Sequence, residues 1–305
     1  MSEIELVLRA GALNGETPVW CCRRKRLFWI DVREPGLHMF DPATRTDQSW
    51  EMPAWIGCYG LTEAGAVVAL RTGLFEFDLA TGGLRPLAAA PFDSRRFLFN
   101  DGRCDPRGRF IAGCMLMPLR PADPRDDARQ GAPLLRYAGG AEWQPITPDV
   151  QTSNGLAFSP DGRAMYHSDT KARTVWLWDY DPDSGACVNR RVFARMEDIP
   201  QPAGPDGANV DRDGFYWCAV FGAGLLRRYD PAGRLERQVQ LPVRYPTMPA
   251  FGGADLQTLY VTSAAAPIAQ EARRSDLADG GLFALPAPAP GLPEPRISSF
   301  WLKGV

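Results

Sequence analysis

Six times along its 305 residues this chain repeats one pair of signals: an apolar hairpin closed by Asp-Gly or a similar turn, then a second hairpin ending in an aromatic residue and often Asp-Pro. The first unit runs through RLFWIDV to HMFDP, the second through LTEAGAVVAL to FEFDLATGG, and the third through CDPRGRFIAG to LLRYAGG. FSPDGRAMYHSD leads to WLWDYDPDSG, VDRDGFYWCAV to LRRYDPAGR, and FGGADLQTLYVTS to GGLFAL near the C-terminus. Each unit suits four short antiparallel strands. Spacings of roughly forty to sixty residues are those of propeller blades with variable insertions, and radial closure hides the sheet edges that would otherwise pair with other chains. The expected fold is therefore all-β: a six-bladed β-propeller of four-stranded antiparallel blades around a central channel. A pair of β-sandwiches also gives short strands with regular turns but does not account for all six units together.

Composition agrees with this reading. Gly at 30 and Pro at 28 favour many turns over long helices, and no composition shift marks a linker, so residues 1–305 read as one domain. The 34 basic and 36 acidic residues are interspersed, which argues against nucleic acid as a partner. MSEIELVLRAG has acidic residues where a signal peptide needs basic ones, and no apolar run approaches the ~20 residues of a membrane span, so a cytoplasmic protein with no membrane partner is expected. No obligate protein partner is evident. Seven cysteines, an odd number with Cys21 and Cys22 adjacent, read as reduced core thiols rather than a disulfide framework. The stretch MLMPLRPADPRDDARQGAP, residues 115–133, extends the third unit as a surface excursion and a candidate lid.

Aligning the units gives the chemistry. The turn glycines Gly108, Gly162 and Gly214 each follow a polar residue by eight positions, namely Asn100, Asn154 and Asp206. Laying GETPVWCCRRKRLFWID on the fourth unit without gaps matches Asp31 with Asp169, Leu27 with Met165, and Glu16 with Asn154. In a propeller the first strand of each blade lines the channel, so these four side chains meet around the axis at one end. Gly57 and approximately Thr247 occupy the position in the other two units and leave part of the ring open for a ligand. Two carboxylates and two amides gathered away from water form a costly like-charge cluster unless a cation sits among them. Oxygen donors without imidazole or thiolate favour hard divalent ions, calcium first, with magnesium, manganese, zinc and iron as alternatives. Such an ion polarises a carbonyl or acidifies water, which points to hydrolysis.

Taken singly, Asn-Asp-Gly at 100–102 and Pro-Asp-Gly at 205–207 are ordinary turn sequences, and Glu16 alone reads as a solvated loop residue. Their shared register is what turns chemistry toward a metal. Other chemistries lack support. His167 falls within a strand and reads as a packed histidine, no G-x-S-x-G elbow occurs, and no cysteine pair has zinc-ribbon spacing. Trp55 and Tyr59 flank Gly57 and could stack on a sugar ring, but core packing is the expected role.

GETPVW at 15–20, FNDGRCDPRGRFIAGCM at 99–115, SNGLAFSPDGRAMYHSDT at 153–170, GPDGANVDRDGFYWCAV at 204–220 and AFGGADLQTLYVTSA at 250–264 resemble the gluconolactonase, or regucalcin (senescence marker protein), family of six-bladed propeller lactonases. The resemblance spans almost the whole chain. It implies metal-dependent hydrolysis of a small-molecule sugar-acid lactone, with the ligand motifs falling on Glu16, Asn154 and Asp206. It also implies a place for Asn100 near substrate and as a second-rank ligand. In the mechanism expected for such a site, Asp206 orients or deprotonates the attacking water. Many members have arginine two residues before that asparagine; here the position is Leu98, which points to a different sugar lactone. Two rivals share the site: a phosphotriesterase-like hydrolase, and a non-catalytic calcium-binding or interaction propeller.

Overall fold

The computed structural model describes residues 4–117, 131–140, 142–265 and 278–302. Among them the strands form six four-stranded antiparallel sheets. The first blade runs outward from Gly15–Cys21 through Arg26–Asp31 and Gly36–Asp41 to Thr46–Glu51. The next four begin with innermost strands Ile56–Leu61, Phe97–Cys104, Ser153–Phe158 and Gly204–Val210. Each innermost strand contacts the next around a ring, and the last, Pro246–Gly252, contacts the first. That circular adjacency is a six-bladed propeller. The candidate lid lies largely in residues 118–130, outside the described residues.

Blade six differs from a self-contained repeat. Its three strands Pro246–Gly252, Thr258–Ser263 and Leu282–Pro286 are completed by Glu5–Leu8 from the start of the chain, which pairs antiparallel with Leu282–Pro286. The ends of the chain thereby close the ring, and the last sheet edge finds a partner.

Burial falls from axis to rim as the sequence dictates. Innermost GETPVWC is buried throughout, whereas outermost LERQVQ of blade five is almost wholly exposed. The core is the stack of faces between neighbouring blades. Phe28, Ile30 and Leu37 of blade one meet Tyr59, Val68 and Phe77 of blade two, and Tyr166 of blade four stacks on Tyr216 of blade five at 4.8 Å between ring centroids. Inter-strand Asp-Arg pairs lock the turns: Asp211 accepts from Phe215 N (3.0 Å), Trp217 Nε1 (3.0 Å) and Arg228 Nη2 (2.7 Å). Seven free cysteines, five of them buried, agree with reduced core thiols.

One end of the channel is sealed. The chain beyond Leu282–Pro286 crosses it, accepting at Pro290 O from Arg212 N (2.8 Å) and donating from Ile297 N to Leu61 O (2.8 Å) and Ser298 N to Gly108 O (3.1 Å). Glu294 on this segment pairs with Arg103 of the third innermost strand at 2.8 Å. Ligands therefore enter from the opposite end, where the strands begin.

Candidate metal and active site

A β-bulge interrupts every innermost strand at the same height. The pairing slips by one residue between Glu16 and Val19, Ile56 and Cys58, Asn100 and Gly102, Asn154 and Ala157, Pro205 and Ala208, and Pro246 and Pro249. A bulge bends the strand and re-aims a side chain. After three of the four candidate ligands the next residue is left-handed, with φ of 46° at Thr17, 43° at Asp101 and 63° at Gly155. For β-branched Thr17 this is a rare conformation, held by a bond from its N–H to Glu16 Oε2 (3.1 Å).

The four residues that the shared register predicts come together. Glu16, Asn100, Asn154 and Asp206 line one cavity of about 210 Å³ at the open end of the channel. Glu16, Asn154 and Asp206 are 8%, 4% and 6% exposed, and Asn100 is half-buried. A hydrogen-bond relay fixes three of them across blades three, four and five. Asn100 Nδ2 donates to Ser153 O (2.8 Å) and Asn154 Oδ1 (2.9 Å); Asn154 Nδ2 donates to Thr170 Oγ1 (2.7 Å), which donates to Pro205 O (2.7 Å), the residue before Asp206. Behind it, Ser153 Oγ bonds His167 Nε2 (2.8 Å). His167 is fully buried, and burial holds its imidazole down to about 3, so it is neutral packing as expected.

The electrostatics are those of carboxylates buried close together. Burial first, then the Asp101 carboxylate, pushes Glu16 up to about 8; burial, Glu16 and Asp101 together push Asp206 well above the usual carboxylate range. Neither makes an ion pair with a basic side chain among the described residues. Among the described residues no three His, Cys, Asp or Glu converge as a metal cluster, because the set is two carboxylates completed by two amides. The donors still fit a hard divalent ion. Each amide ties its nitrogen to the protein, and Asn154 Oδ1 keeps a second lone pair after accepting from Asn100.

Two positions differ from the expectation. Gly57 does not leave an opening: a Cβ there would stand 2.0 Å from Phe99 O, so glycine serves close approach of blades two and three. Thr247 turns its hydroxyl to Gly15 O (2.5 Å) and Thr262 Oγ1 (2.8 Å), away from the cavity. Tyr59 is 1% exposed and packs in the core, while Trp55 lines the cavity with Leu98 and Phe99. Arg95 pairs with Asp93 at the surface and does not take the place of the missing arginine at Leu98.

Asp101, Thr170 and Arg33 were not anticipated. Asp101 is buried close to Glu16 and Asp206, with Oδ2 accepting from Leu156 N (3.0 Å) and Oδ1 without a hydrogen-bond partner among the described residues, and burial raises its carboxyl. A charged residue within a channel-lining strand was its sequence signal.

The family model described as SMP-30/Gluconolactonase/LRE-like region matches residues 14–265. The chain belongs to this family. It is 40% identical over 300 residues to a 6-deoxy-6-sulfogluconolactonase of Pseudomonas putida, covering 96% of this chain and 97% of that one. An L-arabinolactonase of Azospirillum brasilense is 34% identical over 273 residues, with 88% and 87% covered. Among solved structures, a calcium-binding protein, regucalcin, from Agrobacterium tumefaciens superposes with a TM-score of 0.87 at 26% identity, covering 97% of this chain and 98% of that one. The SMP-30/gluconolactonase fold thus accounts for the ring, and the four converging oxygen-bearing side chains stand at its open end.

Proposed function

We propose that this chain hydrolyses sugar-acid lactones to free aldonic acids, with one divalent cation held by Glu16, Asn154 and Asp206 and by Asn100 as a second-rank ligand. The observation that carries the reading is the pair of buried, mutually repelling carboxylates Glu16 and Asp206 converging with two amide oxygens at the mouth of the channel. Relatives named for their substrates act on a sulfogluconolactone and on an arabinolactone, so ring substituents vary and the lactone is the shared part. The cavity volume of about 210 Å³ lies below the range of about 300–1,000 Å³ typical of drug-sized ligand pockets, which suits a single sugar ring.

A bound divalent cation, calcium first and zinc, manganese, magnesium or iron as alternatives, supplies Lewis-acid polarisation of the lactone carbonyl and acidifies nearby water. The chain's own groups do the rest. Asp206 takes a proton from the water that attacks the carbonyl carbon and returns it to the ring oxygen as the C–O bond opens. Asn100, steadied through Nδ2, offers Oδ1 to a substrate hydroxyl. The apolar wall of Trp55, Leu98, Phe99 and Phe221 packs on the ring and keeps bulk water from the reacting carbonyl.

The test is proton release by metal-stripped protein on a panel of aldonolactones, with each ion restored singly, for wild type and Asp206→Asn. Rapid ion-dependent hydrolysis lost in the variant supports the reading. Turnover of a phosphotriester instead favours a phosphotriesterase-like hydrolase, and metal binding with neither activity favours a binding propeller.

A further inference from the structure

The cavity has one feature that lactone hydrolysis itself does not use. Arg33 stands at its rim, on the turn between the second and third strands of blade one. Asp31 fixes that turn. Its Oδ2 accepts from Leu13 N (2.7 Å), and its Oδ1 accepts from Asn14 N (3.1 Å), Arg33 N (3.0 Å) and Glu34 N (3.2 Å). One buried carboxylate thus ties the strand that enters the site to the turn that carries Arg33, and Asn14, Val32 and Arg33 form one wall. Blade four repeats the device: Asp169 accepts from Thr152 N (3.1 Å) and Lys171 N (2.9 Å), and Thr152 and Thr170 line the cavity opposite.

Arg33 is exposed, and among the described residues its guanidinium has no carboxylate partner and makes no side-chain hydrogen bond. It is also the only Lys or Arg among the described residues that line the cavity. Most arginines near it in sequence are engaged: Arg23 meets Glu63, Arg26 meets Asp41, and Arg45 meets Glu5. An unpaired planar guanidinium at the edge of a small cavity is suited to bidentate capture of an oxyanion. The apolar lining residues Trp55, Leu98, Phe99 and Phe221 carry no charge, and an anionic group placed among the four oxygen-bearing side chains would meet Glu16 and Asp206.

We infer that the substrate is a sugar-acid lactone with an anionic substituent, a sulfonate or phosphate, on the carbon farthest from the lactone carbonyl, and that Arg33 is the specificity-determining residue that holds it. The inference rests on the lactonase reading for the position of the carbonyl at the four oxygen ligands. Arg33 then sets the opposite end of the sugar, so the two charges of the cavity orient the ring. Because the guanidinium is exposed, its attraction is screened by salt.

The test compares metal-loaded wild type, Arg33→Gln and Arg33→Glu on glucono-1,5-lactone, its 6-phosphate and its 6-sulfonate analogue. Wild type should favour an anionic lactone over the neutral one in kcat/KM. Arg33→Gln should lower that ratio by about 10- to 100-fold, the factor for a hydrogen bond to a charged group, chiefly through KM. Arg33→Glu should lower it further, and added salt should erode the preference of wild type alone. The ranking of sulfonate against phosphate identifies the substituent. Wild-type preference for the neutral lactone, or an unchanged ratio in Arg33→Gln, overturns the inference. If no lactone is turned over, the lactonase reading has failed separately, and the anion site is read by calorimetric binding of the ring-opened 6-sulfonate and of gluconate. Equal discrimination between those two acids by wild type and Arg33→Gln then overturns it.

Discussion

Replacing Glu16 by glutamine should change how the metal-free protein responds to pH, by an amount that follows from the site. Burial holds the Glu16 carboxyl at about 8 against its ordinary 4.5, so between those values the folded protein keeps a proton that the unfolded chain gives up. Stability from this group is fully present below pH 4.5 and is lost as pH rises through 8, by about 1.4 kcal/mol per pH unit. At pH 7 the cost is about 3 kcal/mol, and Asp206 adds to it in the same direction. The Glu16→Gln variant carries no such cost at this position. Denaturant unfolding of both proteins, stripped of metal, at pH 5, 6, 7 and 8 reads this cost together with the relief that Glu16→Gln gives Asp206, whose carboxyl Glu16 helps to raise, and both act in the same direction. The stability gap should widen in favour of the variant by about 1 kcal/mol per pH unit. A divalent cation reverses the balance, since it binds the ionised carboxylates and expels their protons. With Glu16 held well above its ordinary value, binding at pH 7 should release protons from this residue and more from Asp206. Calorimetric titration in two buffers of different ionisation enthalpy counts those protons. Parallel pH curves for the two proteins, or metal binding without proton release, would refute the account of the site as a repelling carboxylate pair built around an ion.

Three further outcomes test the scaffold of the site. Thr170→Val removes the hydroxyl between Asn154 and Pro205 O, so kcat should fall by about 10- to 100-fold with unfolding free energy changed by about 1–2 kcal/mol; activity within twofold of wild type refutes the relay. Gly155→Ala puts a Cβ 2.4 Å from Tyr216 Oη and 2.6 Å from Ser168 Oγ at a φ of +63°, and should cost about 2–5 kcal/mol by denaturant unfolding. His167, held at about 3 by burial, makes the unfolded chain the better proton acceptor below its ordinary 6.5. Stability should therefore fall as pH drops from 6.5 toward 3, by about 2 kcal/mol at pH 5, and His167→Leu should flatten that slope.

The fold was legible because a propeller writes its period into the chain. Turn glycines such as Gly108, Gly162 and Gly214 all have φ between 69° and 85°, a conformation that selects glycine, so they serve as markers of blade register. The same register located Glu16, Asn100, Asn154 and Asp206, because equivalent bulges put equivalent side chains at the axis. What escaped is whatever breaks the repeat or is set by another blade. Gly57 looked like an opening and is a contact with Phe99 O; Thr247 shares the position but turns to Gly15 O; the fourth strand of blade six comes from Glu5–Leu8. Asp101 was hidden in an Asn-Asp-Gly that also reads as a turn, and only its burial and the effect of its charge on Glu16 and Asp206 connect it to the site.

Arg33 shows a further limit of register. Its equivalent in blade four, Lys171, is held by the same Asp-to-backbone bond, yet only Arg33 lines the cavity. The ring supplies six equivalent positions at each height, and chemistry arises where the blades stop being equivalent. The carboxylates come from blades one and five, the amides from blades three and four, and the rim guanidinium from blade one. A symmetrical set of six carboxylates or six amides would bind an ion but could not orient an asymmetric sugar. On the proposed reading, the unequal filling of equal positions gives the cavity one end for a cation and a carbonyl and another for an anion.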